Sequence, residues 1–288
     1  METSGEHLSI IIPAFNEAET IQGVIRQLKT AFPVSEIIVV DDASSDATSE
    51  EARKGGADLV LRHKRNRGYG SSIKDGARRA TGSYIATYDA DGQHDPASLK
   101  ILWDEAVDRE MVVGARSARN QNPGRLVGKI LLFRVANMLA GEKINDLNSG
   151  LRIIRKDVFE EYALLLPDGF SLSTTITLAM LKDNRDVHFI PVEVKPRAGG
   201  KSTVRFLRDG YMTMILILRI IMLFDPLKVL LPVSLLLGFI GAVYGITWVV
   251  LNRNIPDGAI LFMLSGVMSF LFGLLADQIA NIRRQMKK

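Results

Sequence analysis

Short β-branched runs alternate with helix-forming stretches along the first part of this chain. That alternation limits the folds open to it more than any other feature. Leu8-Ser9-Ile10-Ile11-Ile12 and Glu36-Ile37-Ile38-Val39-Val40 read as strands of a buried parallel sheet. Between them, residues 17–32 place Ile21, Val24, Ile25 and Leu28 on one face of a helix. The pattern continues with a helix near 46–54, a strand near 58–62, a helix at 70–81, a strand at 83–88, a helix at 96–108 and a strand at 111–114. After a basic, partly amphipathic helix near 123–140 come a strand at 151–154, helices near 156–165 and 173–182, and a strand at 187–192. Strands separated by helices predict an α/β fold with a mostly parallel sheet.

The character of the chain then changes. Residues 227–251 are apolar except for Lys228, and 259–275 are apolar again. Each run is long enough to cross a hydrocarbon core of roughly 30 Å. The short connector Asn252–Gly258 contains Pro256 and Gly258, so the pair reads as a transmembrane hairpin; buried helices of a soluble domain are the alternative. The tail Arg283–Lys288 is strongly basic, which predicts that it lies on the cytoplasmic side together with the domain preceding the hairpin. Residues 203–224 open with Arg205, Arg208 and Asp209, and Arg219 interrupts their apolar part. A helix lying in the membrane interface fits this pattern, with a third crossing as the alternative. The expected division is therefore 1–202 as a soluble domain, 203–226 as an interfacial helix, and 227–288 as the hairpin with its tail.

Composition removes several function classes. The chain has no cysteine, which excludes disulfides and thiolate metal sites. Its net charge of +4 is too weak to argue for nucleic acid. Basic residues gather at Arg62–Arg67, Arg116–Lys129, Lys195–Arg208 and Arg283–Lys288, as a solvated surface or as the lining of an anionic-substrate cleft. Met1–His7 is polar and acidic, unlike a signal peptide.

The strand ends carry the chemistry. After the first strand the chain reads Pro13-Ala14-Phe15-Asn16-Glu17, after the second Asp41-Asp42-Ala43-Ser44-Ser45-Asp46, and after the fourth Asp89-Ala90-Asp91-Gly92-Gln93-His94. Ligands of open α/β sheets bind outside the carboxyl ends of the strands. Carboxylates one residue apart at such an end suit a hard divalent cation that also meets a substrate's phosphates. The Gly-x-Gly-x-x-Gly of dinucleotide dehydrogenases is missing after the first strand.

Those three motifs, in this order and spacing, resemble the signatures of family 2 glycosyltransferases of the GT-A fold. Val113-Gly114-Ala115-Arg116, Asp146-Leu147-Asn148-Ser149-Gly150-Leu151-Arg152 and the loop Arg197–Ser202 resemble the dolichol-phosphate mannose synthase group, which includes polyprenyl-phosphate glycosyltransferases. The Gln-x-x-Arg-Trp of processive synthases is absent. The resemblance implies a GT-A nucleotide-sugar-binding domain in which Pro13, Phe15, Glu17 and Asp42 surround the nucleoside. Asp89 borders the donor, and Asp91 and Gln93, with Asp89 beside them, hold Mg²⁺ or Mn²⁺ on the diphosphate. Arg116 binds a lipid phosphate, Lys129 falls near a position where relatives often carry arginine, and Arg197 and Lys201 sit on a loop that closes over the phosphates. The implied partners are a UDP- or GDP-sugar donor, a polyprenyl (dolichyl or undecaprenyl) monophosphate and the bilayer. Monomer and homo-oligomer are both left open, as are the sugar and the base.

Plainer roles compete at several positions. Asp41 and Asp46 can cap the helix near 46–54, and Asp95 before Pro96 reads as a cap with proline at the first helical position. His94 reads as a turn residue with metal ligation as the alternative, Gly68-Tyr69-Gly70 as a flexible helix entry, and Arg152 as an internal ion pair or a phosphate contact. Two other functions remain in view: transfer of a sugar to a hydroxyl lipid, and an inactive membrane scaffold built on a transferase-like domain.

Overall fold

The computed structural model describes residues 7–116, 149–169 and 171–193, positions 215, 218, 221 and 222, and residues 224–285, with only the backbone described at 116 and 283–285. The predicted helix at 123–140, the loop 195–203 and most of 203–223 lie outside the described residues. The described residues fall into two compact units, one up to residue 193 and one from residue 215 onward.

The first unit is built on a sheet of seven described strands: β1 (Leu8–Ala14), β2 (Glu36–Asp41), β3 (Leu59–Arg62), β4 (Tyr84–Thr87), β5 (Met111–Arg116), β6 (Arg152–Arg155) and β7 (Val187–Val192). Their order across the sheet is β3-β2-β1-β4-β6-β5-β7. All pairings are parallel except those of β6, which runs antiparallel to both β4 and β5. The mostly parallel GT-A-type sheet therefore holds, with one reversed strand. A doubly buried run such as Ile153-Ile154 reports burial on both faces and says nothing of direction.

Alternate side chains of β1 and β2 serve opposite layers. Ile10, Ile12, Ile37 and Val39 join one core with α1 (Ile21–Ala31), α2 (Thr48–Gly55) and α4 (Pro96–Ala106) through Ile21, Val24, Ile25, Leu28, Ala52, Leu99 and Leu102. Ile11 and Val40 face α3 (Tyr69–Arg79) on the other side. Beyond β6 follow α5 (Lys156–Tyr162) with a 3₁₀ turn at Ala163–Leu165, then α6 (Leu172–Lys182). Each fully buried isoleucine contributes about 1.5–3 kcal/mol relative to exposure.

The helix boundaries differ from the sequence expectation for local reasons. α1 begins at Ile21 because the amides of Glu17 and Ala18 are taken by Thr48 Oγ1 (2.9 Å) and Asp46 Oδ2 (3.2 Å), which keeps 17–20 in a turn. α2 begins at Thr48, whose amide donates to Asp46 Oδ1 (3.0 Å), and ends against Gly56 in the left-handed conformation (φ 92°). Asp95 caps α4 by accepting from Ala97 N (3.0 Å), with Pro96 at the first helical position.

The second unit contains α7 (Leu227–Asn252) and α8 (Asp257–Gln285), helices long and apolar enough to cross a membrane, with mean hydropathies of 2.2 and 2.3. Only 11% and 17% of their most apolar stretches is buried, which is the reverse of a pair of soluble core helices. They meet through small residues. A Cβ on Gly241 would lie 2.8 Å from Met263 Cγ, and one on Gly266 3.0 Å from Ser234 O and from Gly238 N. Such contacts let helices associate where lipid removes the hydrophobic driving force. Before the hairpin, the described positions Ile215, Leu218, Ile221, Met222 and Phe224 are helical.

Gly76 tests how tightly α3 lies on the sheet. A Cβ there would approach Ile11 Cγ2 to 2.5 Å, a branched methyl with no room to swing away. Gly76→Ala is expected to cost about 1–3 kcal/mol, read as a lower thermal midpoint of the purified chain. An unchanged midpoint would mean that α3 sits farther from β1 than this.

Candidate active site

Parallel strands end on a common edge, so the sheet itself gathers the motif residues. Pro13 falls there in an interior strand without leaving a broken ladder. Ile11 accepts from Tyr88 N (3.0 Å) and Ala14 from Asp42 N (2.9 Å), so β1 addresses β4 and β2 alternately. Position 13 faces the β4 side just past the last β4 pair, Ile11–Thr87, where a missing N–H costs no ladder bond. Phe15 is 48% exposed beyond that edge, and Glu17 is half-buried.

The turns after β1 and β2 are laced together. Asn16 and Ala43 both take positive φ (55° and 64°), an uncommon conformation for residues with side chains. Asn16 N donates to Ser44 Oγ (2.9 Å), and Asn16 Oδ1 accepts from Ser45 N (2.8 Å). Burial pushes the Asp46 carboxyl upward, but the Thr48 hydroxyl and amide and the Ala18 amide together hold it below its ordinary value.

Asp41 and Asp42 at the end of β2 are both buried and bonded within the protein. Asp41 accepts from Ser44 N (2.8 Å) and from the Ser49 hydroxyl, with Arg62 Nε at 3.7 Å. It ties α2 to β2 through Ser49 and is not the N-terminal cap of that helix. The Asp42 carboxylate accepts from His63 Nδ1 (2.6 Å), Arg67 N (2.8 Å) and Gly68 N (2.7 Å). The residue expected to border the nucleoside thus already holds the loop that enters α3. That entry is tied to the 167–169 turn: Ser71 N donates to Asp168 O (3.0 Å), Lys74 pairs with Asp168 (2.6 Å), and a Cβ on Gly70 would come within 2.9 Å of Asp168 C and Gly169 O.

After β4, Asp89 is partly exposed (33%) and Asp91 is half-buried. Gly92 adopts φ 71°, which turns the chain so that Gln93 N donates to Asp91 Oδ1 (3.1 Å). Thr20 Oγ1 donates to Ala90 O (2.8 Å) and so fastens the start of α1 to the acidic turn. His94 is a buried turn residue: its carbonyl accepts from Tyr88 OH (2.5 Å), its ring packs edgewise on Tyr88, and Nε2 lies 3.8 Å from Asp89 Oδ2. Burial, then the carboxylates of Asp95, Asp89 and Asp91, push the Tyr88 phenol well above its ordinary value.

The reversed strand supplies the floor under Asp89. Because β6 is antiparallel, its lead-in Ser149-Gly150-Leu151 arrives at the edge where β4 ends. The Asp89 carboxylate lies directly over the Gly150 Cα, in the space a Cβ would occupy, and the Thr87 hydroxyl donates to Gly150 O. Arg152 is 1% exposed; Nη1 donates to Ser173 O (2.9 Å) and Thr177 Oγ1 (3.2 Å), and Nη2 to Ser149 O. It fastens this lead-in to α6 from inside. Burial, then the Asp89 carboxylate, push the neighbouring Tyr69 phenol up.

The structure therefore brings Pro13, Phe15, Glu17, Asp42, Asp89, Asp91 and Gln93 to one edge. The Arg116 backbone closes β5 at the same edge, and its side chain lies outside the described residues, as do Lys129, Arg197 and Lys201. Among the described residues, no three His, Asp or Glu side chains form a metal-holding group. Asp89 and Asp91 are two carboxylates on this turn, and carboxylate oxygens are ligands of the kind a hard divalent cation takes. Thr20 and His63 touch the motif residues but were not singled out by the sequence, and Gly150 was named only within a longer motif. Each acts through a tertiary contact that no local pattern announces.

Comparison with known proteins gives these features a lineage. Residues 9–163 match Glycosyl transferase family 2, and residues 225–282 match the GtrB C-terminal hairpin. The chain is similar to an undecaprenyl-phosphate 4-deoxy-4-formamido-L-arabinose transferase of Klebsiella pneumoniae, at 27% identity over 97% of this chain and 90% of that protein. It is also similar to a polyprenol monophosphomannose synthase of Mycolicibacterium smegmatis, at 30% identity over 67% of this chain and 79% of that one. Among solved structures, glucosyl-3-phosphoglycerate synthase from Mycobacterium tuberculosis, in complex with Mn²⁺, UDP-glucose and phosphoglyceric acid, shares the fold. Its TM-score is 0.59 at 20% identity, covering 74% of this chain and 79% of that one. With its family 2 domain spanning more than half its length and a GtrB-type hairpin behind it, this chain belongs to the family 2 glycosyltransferases.

Proposed function

We propose that this glycosyltransferase moves a single sugar from a UDP- or GDP-sugar to a polyprenyl monophosphate, with inversion at the anomeric carbon. One observation carries the reading: an acidic, phosphate-suited sheet edge and a bare apolar hairpin occur in one chain. The relatives named for polyprenyl-phosphate substrates support the acceptor. Residues 1–202 are the catalytic domain, 203–226 the interfacial helix and 227–288 the hairpin. The basic tail favours the cytoplasmic side for both tail and catalytic domain.

The chemistry follows from the acceptor. A phosphate monoester has its second pKa near 6, so it is already largely a dianion at neutral pH and needs no general base. Its oxygen attacks the anomeric carbon in line while the nucleoside diphosphate leaves. Pro13, Phe15, Glu17 and Asp42 border the nucleoside. Asp89, Asp91 and Gln93 face the diphosphate and fit a divalent cation, Mg²⁺ or Mn²⁺. Such an ion, when bound, offsets the charge that grows on the leaving group. Arg116 and Lys129 hold the acceptor phosphate, and Arg197 and Lys201 cover the donor phosphates. The isoprenoid tail cannot leave the bilayer without exposing large apolar area, so a hairpin in the same chain keeps transfer at the membrane surface.

The direct test incubates membranes containing the chain with labelled nucleotide sugars and polyprenyl phosphate. Label from one donor is expected to become organic-extractable, and chelation is expected to abolish it. No extractable label from any donor would overturn the reading. Asp91→Ala is expected to lower turnover at least about a hundredfold, the scale seen when a group stabilising developing charge is removed; turnover within a few-fold of wild type would remove Asp91 from the reaction. Arg116→Ala is expected to raise the acceptor KM by about ten- to a hundredfold, as loss of a charge-assisted phosphate contact does. An unchanged acceptor KM would point instead to a hydroxyl lipid, which presents no phosphate to bind.

A further inference from the structure

We propose that His63 is a positioning residue for the donor nucleotide, an inference that rests on the donor reading above. His63 follows the last residue of β3, and its amide donates to Asp41 O (2.9 Å), which extends the β2–β3 ladder by one bond. Its side chain is 8% exposed and lies between two carboxylates, with Nδ1 2.6 Å from Asp42 Oδ1 and Nε2 3.0 Å from Asp75 Oδ2. A carboxylate oxygen accepts, so Nδ1 is the nitrogen that donates to Asp42.

The two carboxylates do not depend on His63 equally. Asp75, on α3, also pairs with Arg67 Nη1 (2.6 Å) and with Arg78. Asp42 has two backbone amides and, among the described residues, His63 as its one side-chain partner. Arg62 is turned to Asp41 and to Ser44 O (2.8 Å), while Lys64 and Arg65 point outward. Without the Nδ1 donor, Oδ1 of the buried Asp42 carboxylate would keep the Arg67 amide alone. The carboxylate would be held less firmly in its present orientation. The Asp42 amide also holds Ala14 O (2.9 Å), which links this residue to the strand end carrying Pro13, Phe15 and Glu17.

Two amide substitutions separate the bonds. An asparagine nitrogen can stand where Nδ1 does and keep the bond to Asp42; a glutamine nitrogen can stand where Nε2 does and keep only the bond to Asp75. The test titrates the purified full-length chain in detergent with UDP and with GDP, each with Mn²⁺, by calorimetry. His63→Asn is expected to bind the preferred nucleotide within about threefold of wild type, and His63→Gln about tenfold more weakly, the scale of one charged hydrogen bond. Each variant loses one of the two bonds, so their thermal midpoints are expected to match each other, and the KM for polyprenyl phosphate is expected to stay unchanged. Equal binding by wild type and His63→Gln overturns the inference and leaves the donor reading intact. Equal loss in both variants with lowered midpoints also overturns it, by assigning His63 to fold stability alone. A wild type that binds neither UDP nor GDP overturns the donor reading and this inference with it.

Discussion

Two adjacent buried carboxylates, Asp41 and Asp42, organise the edge on which the site depends. Taking an ionised carboxylate out of water costs several kcal/mol unless donors surround it. Here the donors come from four places in sequence. Ser44 and Ser49 serve Asp41, with Arg62 nearby; His63, Arg67 and Gly68 serve Asp42. Satisfying the pair therefore fixes the turn after β2, the seat of α2, the end of β3 and the entry to α3. The nucleoside side of the proposed cleft is the surface left by that arrangement.

The proposed diphosphate side has a different origin. β6 runs against its neighbours, and that reversal delivers Gly150 to the end of β4, where Asp89 needs space. A buried arginine then fastens the delivering segment to α6. On the opposite flank, the Thr20 hydroxyl holds the Asp89-Ala90-Asp91 turn to the first helix. The acidic turn is thus braced from both sides by residues that need not meet the substrate, which is how a site keeps its geometry while its ligands change charge.

The hairpin follows other rules. Its helices satisfy their own backbone bonds, meet through glycines and turn apolar side chains outward. The acidic sheet edge and the hairpin suit different solvents. Their combination in one chain suits a reaction between a water-soluble donor and an acceptor confined to lipid.

The sequence by itself determined the elements and where the acidic motifs fall. Ile10, Ile12, Ile37 and Val39 could only be buried strands, Ile21, Val24, Ile25 and Leu28 a helix face, and the stretch from Leu227 two apolar spans, because local periodicity and length report burial directly. The acidic motifs at three strand ends were legible for the same reason, since parallel strands must end together. What only the tertiary structure decided was which groups those acids answer to. The direction of β6, the seat of Asp89 on Gly150, the inward turn of Arg152 and the bridge of His63 between Asp42 and Asp75 join residues far apart in the chain. A buried charge is settled by whichever donors the fold brings within about 3 Å, and sequence spacing carries no record of that distance.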